Sequence, residues 1–271
     1  MALTLLLGCG CQALMSVDAA GDNAFMMAQE AGLTPAVERA QPFRLQTFSR
    51  NLDSPSDELT IFIEGDGRAW RGRRRPPRNP TPTNPVALRL ATLDRSPAVL
   101  YMARPCQFID SPGACDGGVW TSHRYGESVV SAMNRVLDRI QSERQRRLVL
   151  VGHSGGGVVA ALLASRRTDV VALYTLAAPL SVASWTGAAD LTPLQESLDP
   201  AQLAPLPART LARIPQWHYL GAGDDVVPRQ ALDDYLNNLP RPHRARVVVL
   251  DGVDHGCCWA ALWPGLRSGG H

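Results

Sequence analysis

The sequence predicts an α/β fold, a mostly parallel sheet covered by helices on both faces. Three observations predict it. The strand-like runs are apolar throughout: Leu148-Val149-Leu150-Val151 shows no polar alternation, as expected of a strand buried on both faces. Such runs alternate with helix-period segments. Between 127 and 144, Val130, Met133, Val136, Leu137 and Ile140 recur at helical spacing. The chain has 271 residues, 45% hydrophobic and 19% charged. That is enough apolar material to bury a substantial core in one large α/β domain.

The elements follow in order. Residues 1–40 show no sustained pattern and read as a leader and tether with some helix, leaving 41–271 as the folded domain. Thr60-Ile61-Phe62-Ile63 is a strand stopped by Glu64-Gly65-Asp66-Gly67. A Pro/Arg-rich loop runs from Arg71 to Pro85, and Asn84 is placed to cap a short helix with Pro85 at its first position. Ala98–Met102 is a strand, 127–144 a helix, 147–151 a strand and 158–166 a small-residue helix. Strands follow at 170–176, 217–220 and 246–250, with helices at 228–239 and 259–266. Residues 181–213 are Pro-rich, with no clear period.

Charge and termini exclude several functions. A formal net charge of +2 gives no reason to expect nucleic acid as a partner. All 27 basic residues are arginine, so no mechanism here uses a lysine. The apolar run of residues 1–8 is far shorter than the roughly 20 residues that span a bilayer. It reads as the end of a secretory signal. Leu6-Leu7-Gly8-Cys9 is similar to the lipobox of bacterial lipoproteins, although no Lys or Arg precedes the run. That similarity makes Cys9 a lipidation candidate and implies a lipid-anchored protein on the periplasmic face of a bacterial membrane. Cys106, Cys115, Cys257 and Cys258 allow three pairings. Cys106–Cys115 is favoured, and the adjacent pair either bonds to itself or stays free. Paired cysteines imply an oxidising compartment. Neither cluster has the Cys-x-x-Cys spacing of a zinc site, so no metal or other cofactor is expected.

The chemistry concentrates at Gly152-His153-Ser154-Gly155-Gly156, a Gly-x-Ser-x-Gly run between an apolar strand and a helix. In that context a sharp turn lifts the serine above the sheet edge and aims the Gly155 N–H at the same spot. A serine hydroxyl needs a base. His255, in a loop just after the last strand, is the candidate. The base needs an orienting carboxylate. Asp224 is chosen over Asp225, which is expected instead to cap the helix starting near Pro228. The resulting order along the chain is Ser154, Asp224, His255.

From about residue 42 to 267 the sequence resembles the α/β-hydrolases. Ile63–Gly67, Ala103–Cys106, Trp120–Arg124 and His255–Trp259 resemble a little-characterised group of exported bacterial serine hydrolases. The resemblance implies an eight-stranded, mostly parallel sheet, a short cap at 181–213 and the three roles above. It also implies that the Asp66 N–H is the second oxyanion-hole donor, alongside Gly155. An acidic side chain there would oppose a developing oxyanion. Asp66 is therefore expected to turn away or to pair with Arg68, Arg104 or Arg124, since arginine suits bidentate carboxylate pairing.

The function expected is hydrolysis of an acyl ester or thioester, a small-molecule substrate, through an acyl-serine. Acyl transfer and a catalytically inactive, lipid-anchored binding or scaffold protein are the alternatives. A thiol or redox site at Cys257 is a third. Trp185, Leu191, Leu194, Leu198, Leu203 and Leu206 either line an apolar acyl pocket or form the cap's own core. The arginines of residues 71–78 lie near the site's mouth, near a membrane surface, or simply in a solvated loop.

Overall fold

A computed structural model describes residues 17–70, 75–109 and 111–269. Its elements are α1 (Val17–Glu30), β1 (Thr34–Ala40), β2 (Phe43–Arg50), β3 (Glu58–Ile63), α2 (Val86–Leu93), β4 (Val99–Met102) and α3 (Glu127–Glu143). They continue with β5 (Arg147–His153), α4 (Gly155–Ala164), β6 (Val170–Leu176), α5 (Val182–Ala188) and α6 (Pro205–Arg213). The last are β7 (Gln216–Gly221), α7 (Arg229–Asn238), β8 (Ala245–Leu250) and α8 (Trp259–Arg267). The eight strands form one sheet in the order β1-β2-β4-β3-β5-β6-β7-β8. β1 and β2 pair antiparallel, β2 is antiparallel to β4, and all other pairs are parallel.

The two faces of the sheet bury two separate cores. Along β5, Leu148 and Leu150 join one core, with α3, α4 and α6. Val149 and Val151 point into the other, with α1, α2 and α8. Both faces being covered explains why the run is apolar at every position. α4 is buried along its whole length, so it tolerates only small and apolar residues.

Three expectations need correction. The folded unit begins before residue 41: α1 buries Ala24 and Ala28, and β1 extends the sheet. β1 escapes a sequence reading because it is an edge strand whose side chains are nearly all exposed. Asn84 does not cap α2. Its amide reaches the Gly256 carbonyl, and its oxygen accepts from Arg89 Nε. Asp225 does not cap α7, which starts after Pro228 without a side-chain cap. Cys9, and the arginines at 71, 73 and 74, lie outside the described residues. Among the described residues no helix is long and apolar enough to cross a membrane.

Candidate active site

The site grows from the end of β5. Ser154 takes φ +53° and ψ −127° between the strand and α4, a backbone conformation that side chains resist unless the surroundings impose it. The neighbouring glycines show what imposes it. A Cβ on Gly152 would lie 2.3 Å from the Gly156 carbonyl oxygen, and one on Gly156 2.2 Å from the Ile63 carbonyl oxygen. Only glycine lets the chain fold back so tightly against the end of β3.

The structure brings Ser154, His255 and Asp224 together. Ser154 Oγ lies 3.0 Å from His255 Nε2. His255 Nδ1 lies 3.0 Å and 3.2 Å from the two Asp224 oxygens. Each residue follows the C-terminal end of a different strand: β5, β7 and β8. Asp224 Oδ1 also accepts from the Val226 and Val227 N–H groups at 2.9 and 3.0 Å. Burial pushes the Asp224 carboxyl up, but the hydrogen bonds from His255 and these amides outweigh burial and hold it below the usual range. A carboxylate that stays ionised fixes the proton of His255 on Nδ1 and leaves Nε2 as the acceptor facing the serine.

The turn after β3 faces this chain of three. A Cβ on Gly155 would meet Asp66 Oδ1 at 2.0 Å, so the Asp66 carboxylate sits directly over the first residue of α4. Its charge is answered from the other side. Arg124 Nη1 lies 2.9 Å from Oδ2, Arg104 Nη1 3.2 Å from Oδ1, and the Tyr125 hydroxyl donates to Oδ2 at 2.7 Å. Burial raises the Asp66 carboxyl, yet Arg124 and Arg104 together bring it below its ordinary value. The expected arginine pairing therefore involves two of the three candidates. Arg68 instead donates its backbone N–H to the Pro80 carbonyl. Tyr125 has no signature in the sequence; it belongs to this network only because the 103–126 segment folds over the turn. The Cys106–Cys115 disulfide closes part of that segment.

Glu64, two residues before Asp66, points the opposite way. Its carboxylate accepts from the N–H groups of Gly65, Ala87 and Leu88 and from the Tyr101 hydroxyl. It thus serves as the missing N-terminal cap of α2, supplied from a neighbouring strand. Burial, partly offset by these donors, raises it to about 7.

His153, beside Ser154, is buried, and its Nε2 lies 2.8 Å from the His255 carbonyl oxygen. Cys257 and Cys258 form a disulfide directly after the His255 loop. Beside Ser154 lies a cleft of about 240 Å³, walled by Gly65, Arg68, Pro82, Thr83 and His255. No residue of 181–213 lines it. Of the six apolar residues there, Trp185 packs on Val227 and Ala231, and Leu194, Leu198 and Leu203 pack against the core. Leu191 and Leu206 are exposed. The other four side chains thus pack on α7 and on the main core, and none of the six reaches the cleft beside Ser154.

Sheet order, the tight strand-to-helix turn at Ser154 and the strand-end loops define an α/β-hydrolase fold. The chain belongs to the PGAP1-like alpha/beta domain family, whose model matches residues 114–257, just over half of the sequence. Solved structures share the whole architecture. An alpha-beta serine hydrolase homologue from Coxiella burnetii is 18% identical, over 87% of this chain and 94% of that one, with TM-score 0.56. A Xanthomonas campestris serine hydrolase described as lacking a lid is 16% identical, over 88% and 93%, with TM-score 0.56. An esterase from Pyrococcus furiosus is 11% identical, over 89% and 91%, with TM-score 0.61. No curated protein sequence matches the chain.

Proposed function

We propose that the chain is a serine hydrolase that cleaves a carboxylic ester or thioester through an acyl-serine intermediate. The observation that carries this reading is the unbroken hydrogen-bonded series Ser154–His255–Asp224, whose first two members line the cleft. His255 Nε2 takes the Ser154 proton as Oγ attacks the acyl carbon. The imidazolium then gives that proton to the leaving alcohol or thiol. In the second half His255 activates a water, which releases the acid and restores the hydroxyl. Asp224 stays ionised throughout and stabilises the imidazolium.

The oxyanion of each tetrahedral intermediate is held by the N–H groups of Asp66 and Gly155. One such donor contributes on the order of 10²–10³ in turnover. The guanidinium groups of Arg104 and Arg124 neutralise the Asp66 carboxylate, so its charge does not oppose the oxyanion. The open cleft of about 240 Å³ suits a small acyl or alcohol group better than a long chain on both sides.

We also propose that the protein works in an oxidising, extracytoplasmic compartment, anchored through lipid on Cys9. The two disulfides support the compartment, because such bonds persist where thiols are not kept reduced. Fatty-acid incorporation that disappears in Cys9→Ala is the test of the anchor.

The catalytic reading is tested by labelling with a fluorophosphonate probe. The wild type is expected to label and Ser154→Ala to stay unlabelled while remaining folded. A folded wild type that does not label would instead favour a binding protein that keeps the fold without the chemistry.

A further inference from the structure

The candidate base sits in a loop, where side-chain precision is hardest to maintain. His255 lies between β8 and α8, and its imidazole hydrogen-bonds to Asp224 and Ser154. Its backbone is held independently of these groups. The His255 carbonyl oxygen has two partners, His153 Nε2 at 2.8 Å and Trp259 Nε1 at 3.1 Å. A carbonyl only accepts, so His153 carries its proton on Nε2. Both partners are buried, and Trp259 is fully so. The His153 and His255 rings lie 5.4 Å apart.

We propose that His153, with Trp259, is a positioning residue that locks the loop of the base onto the elbow of the nucleophile. This inference rests on the serine-hydrolase reading above. The logic is one of chain continuity. His153 is covalently joined to Ser154, and its hydrogen bond joins it to the backbone of His255. Base and nucleophile are thereby held at one separation by a path that does not pass through the reacting atoms. Trp259, at the start of α8, donates to the same oxygen. Two donors on one oxygen resist both sliding and rotation of the peptide.

The surroundings suit this task. A Cβ on Gly65 would lie 3.3 Å from the His153 carbonyl oxygen and 3.5 Å from its Nδ1, so the ring is packed against the turn after β3. Burial, then the neighbouring His255, pushes His153 down to about 4. It therefore stays neutral at working pH and places no second positive charge beside the imidazolium.

The test compares kcat and KM for His153→Gln, His153→Phe and Trp259→Phe on one activated ester, with thermal unfolding of each. Misplacing a reacting group by up to about 1 Å costs as much as roughly a hundredfold in rate. His153→Phe, which fills the space without a donor, is expected to lose about that much in kcat with KM within about twofold. His153→Gln retains an N–H donor and is expected to recover most of the loss. Trp259→Phe removes the indole N–H while keeping an aromatic side chain, and is expected to lose less than His153→Phe, since its bond is the longer one. A residue that merely packs would behave oppositely, with Phe tolerated and Gln harmful. Should His153→Phe not fold, Trp259→Phe carries the same test alone. Unchanged kcat in folded His153→Phe or, failing that, in Trp259→Phe would overturn the inference. Ser154→Ala measured alongside separates the two levels: residual full activity there would sink the serine mechanism itself, whereas an inactive Ser154→Ala beside an unaffected His153→Phe would sink only the clamp.

Discussion

Glu64 and Asp66 are two acidic residues on one turn, yet they are held in opposite ways. Glu64 is surrounded by neutral donors, three backbone N–H groups and a tyrosine hydroxyl. Asp66 meets two guanidinium groups and a tyrosine hydroxyl. Both lose water. Only the one with full positive charges nearby ends below its ordinary value, while the other rises to about 7. At Glu64 the neutral donors do not offset burial; at Asp66 the two guanidinium charges do. The division also separates two tasks. Glu64 builds the scaffold by capping α2, and Asp66 belongs to the turn that faces Ser154.

The largest effect is expected on the Asp66 side. Asp66→Ala strands two arginines whose side chains are each only 6% exposed. Removing one partner of a buried charge network typically costs about 3–5 kcal/mol. Denaturant unfolding is the measurement; a loss below about 1 kcal/mol would mean that the arginines find water easily and that the contrast with Glu64 is false.

The next effect is a pH dependence on the Glu64 side. Its carboxyl rises from 4.5 to about 7 on folding. Its contribution is thus fully present below pH 4.5 and is lost as pH rises through 7, by about 3 kcal/mol in all. Glu64→Gln lacks this titration. The stability of the wild type relative to Glu64→Gln should therefore fall between pH 4.5 and 8. His153 and His218, lowered to about 4 and about 3, act in the reverse sense but equally in both proteins, so they cancel in the difference. A constant difference across this range would show that Glu64 is ionised throughout.

The smallest and sharpest comparison uses the two tyrosines. Tyr125→Phe removes a hydrogen bond to an ionised carboxylate, and about 1.5–3 kcal/mol is expected at any pH from 5 to 8. Tyr101→Phe removes a bond to a carboxyl that is largely protonated below pH 7, and about 1 kcal/mol is expected at pH 5. Equal losses at pH 5 would erase the distinction.

Much of the architecture was legible because burial on two faces leaves a strong mark. β3, β5 and β6 are apolar runs for that reason. β1 left none, since an exposed edge strand selects no face. The Gly152–Gly156 run was legible because its turn excludes a side chain at two positions, and elementary electrostatics pointed to an arginine partner for Asp66. Tyr125, Tyr101 and Trp259 were illegible. Their roles depend on which segments the fold lays across the turn and the elbow, and spacing along the chain carries no record of that. Asn84 failed as a cap for the same reason: the helix takes its cap from Glu64, 22 residues earlier in the chain.

The account's central claim is that Ser154 becomes acylated. The most direct measurement is acid quench of the wild type during turnover of a p-nitrophenyl ester, followed by mass analysis of its peptides. The expected result is one acyl group on the peptide containing Ser154 and none on that peptide from Ser154→Ala. Turnover with the acyl group on another residue, or equal turnover by Ser154→Ala, would contradict it.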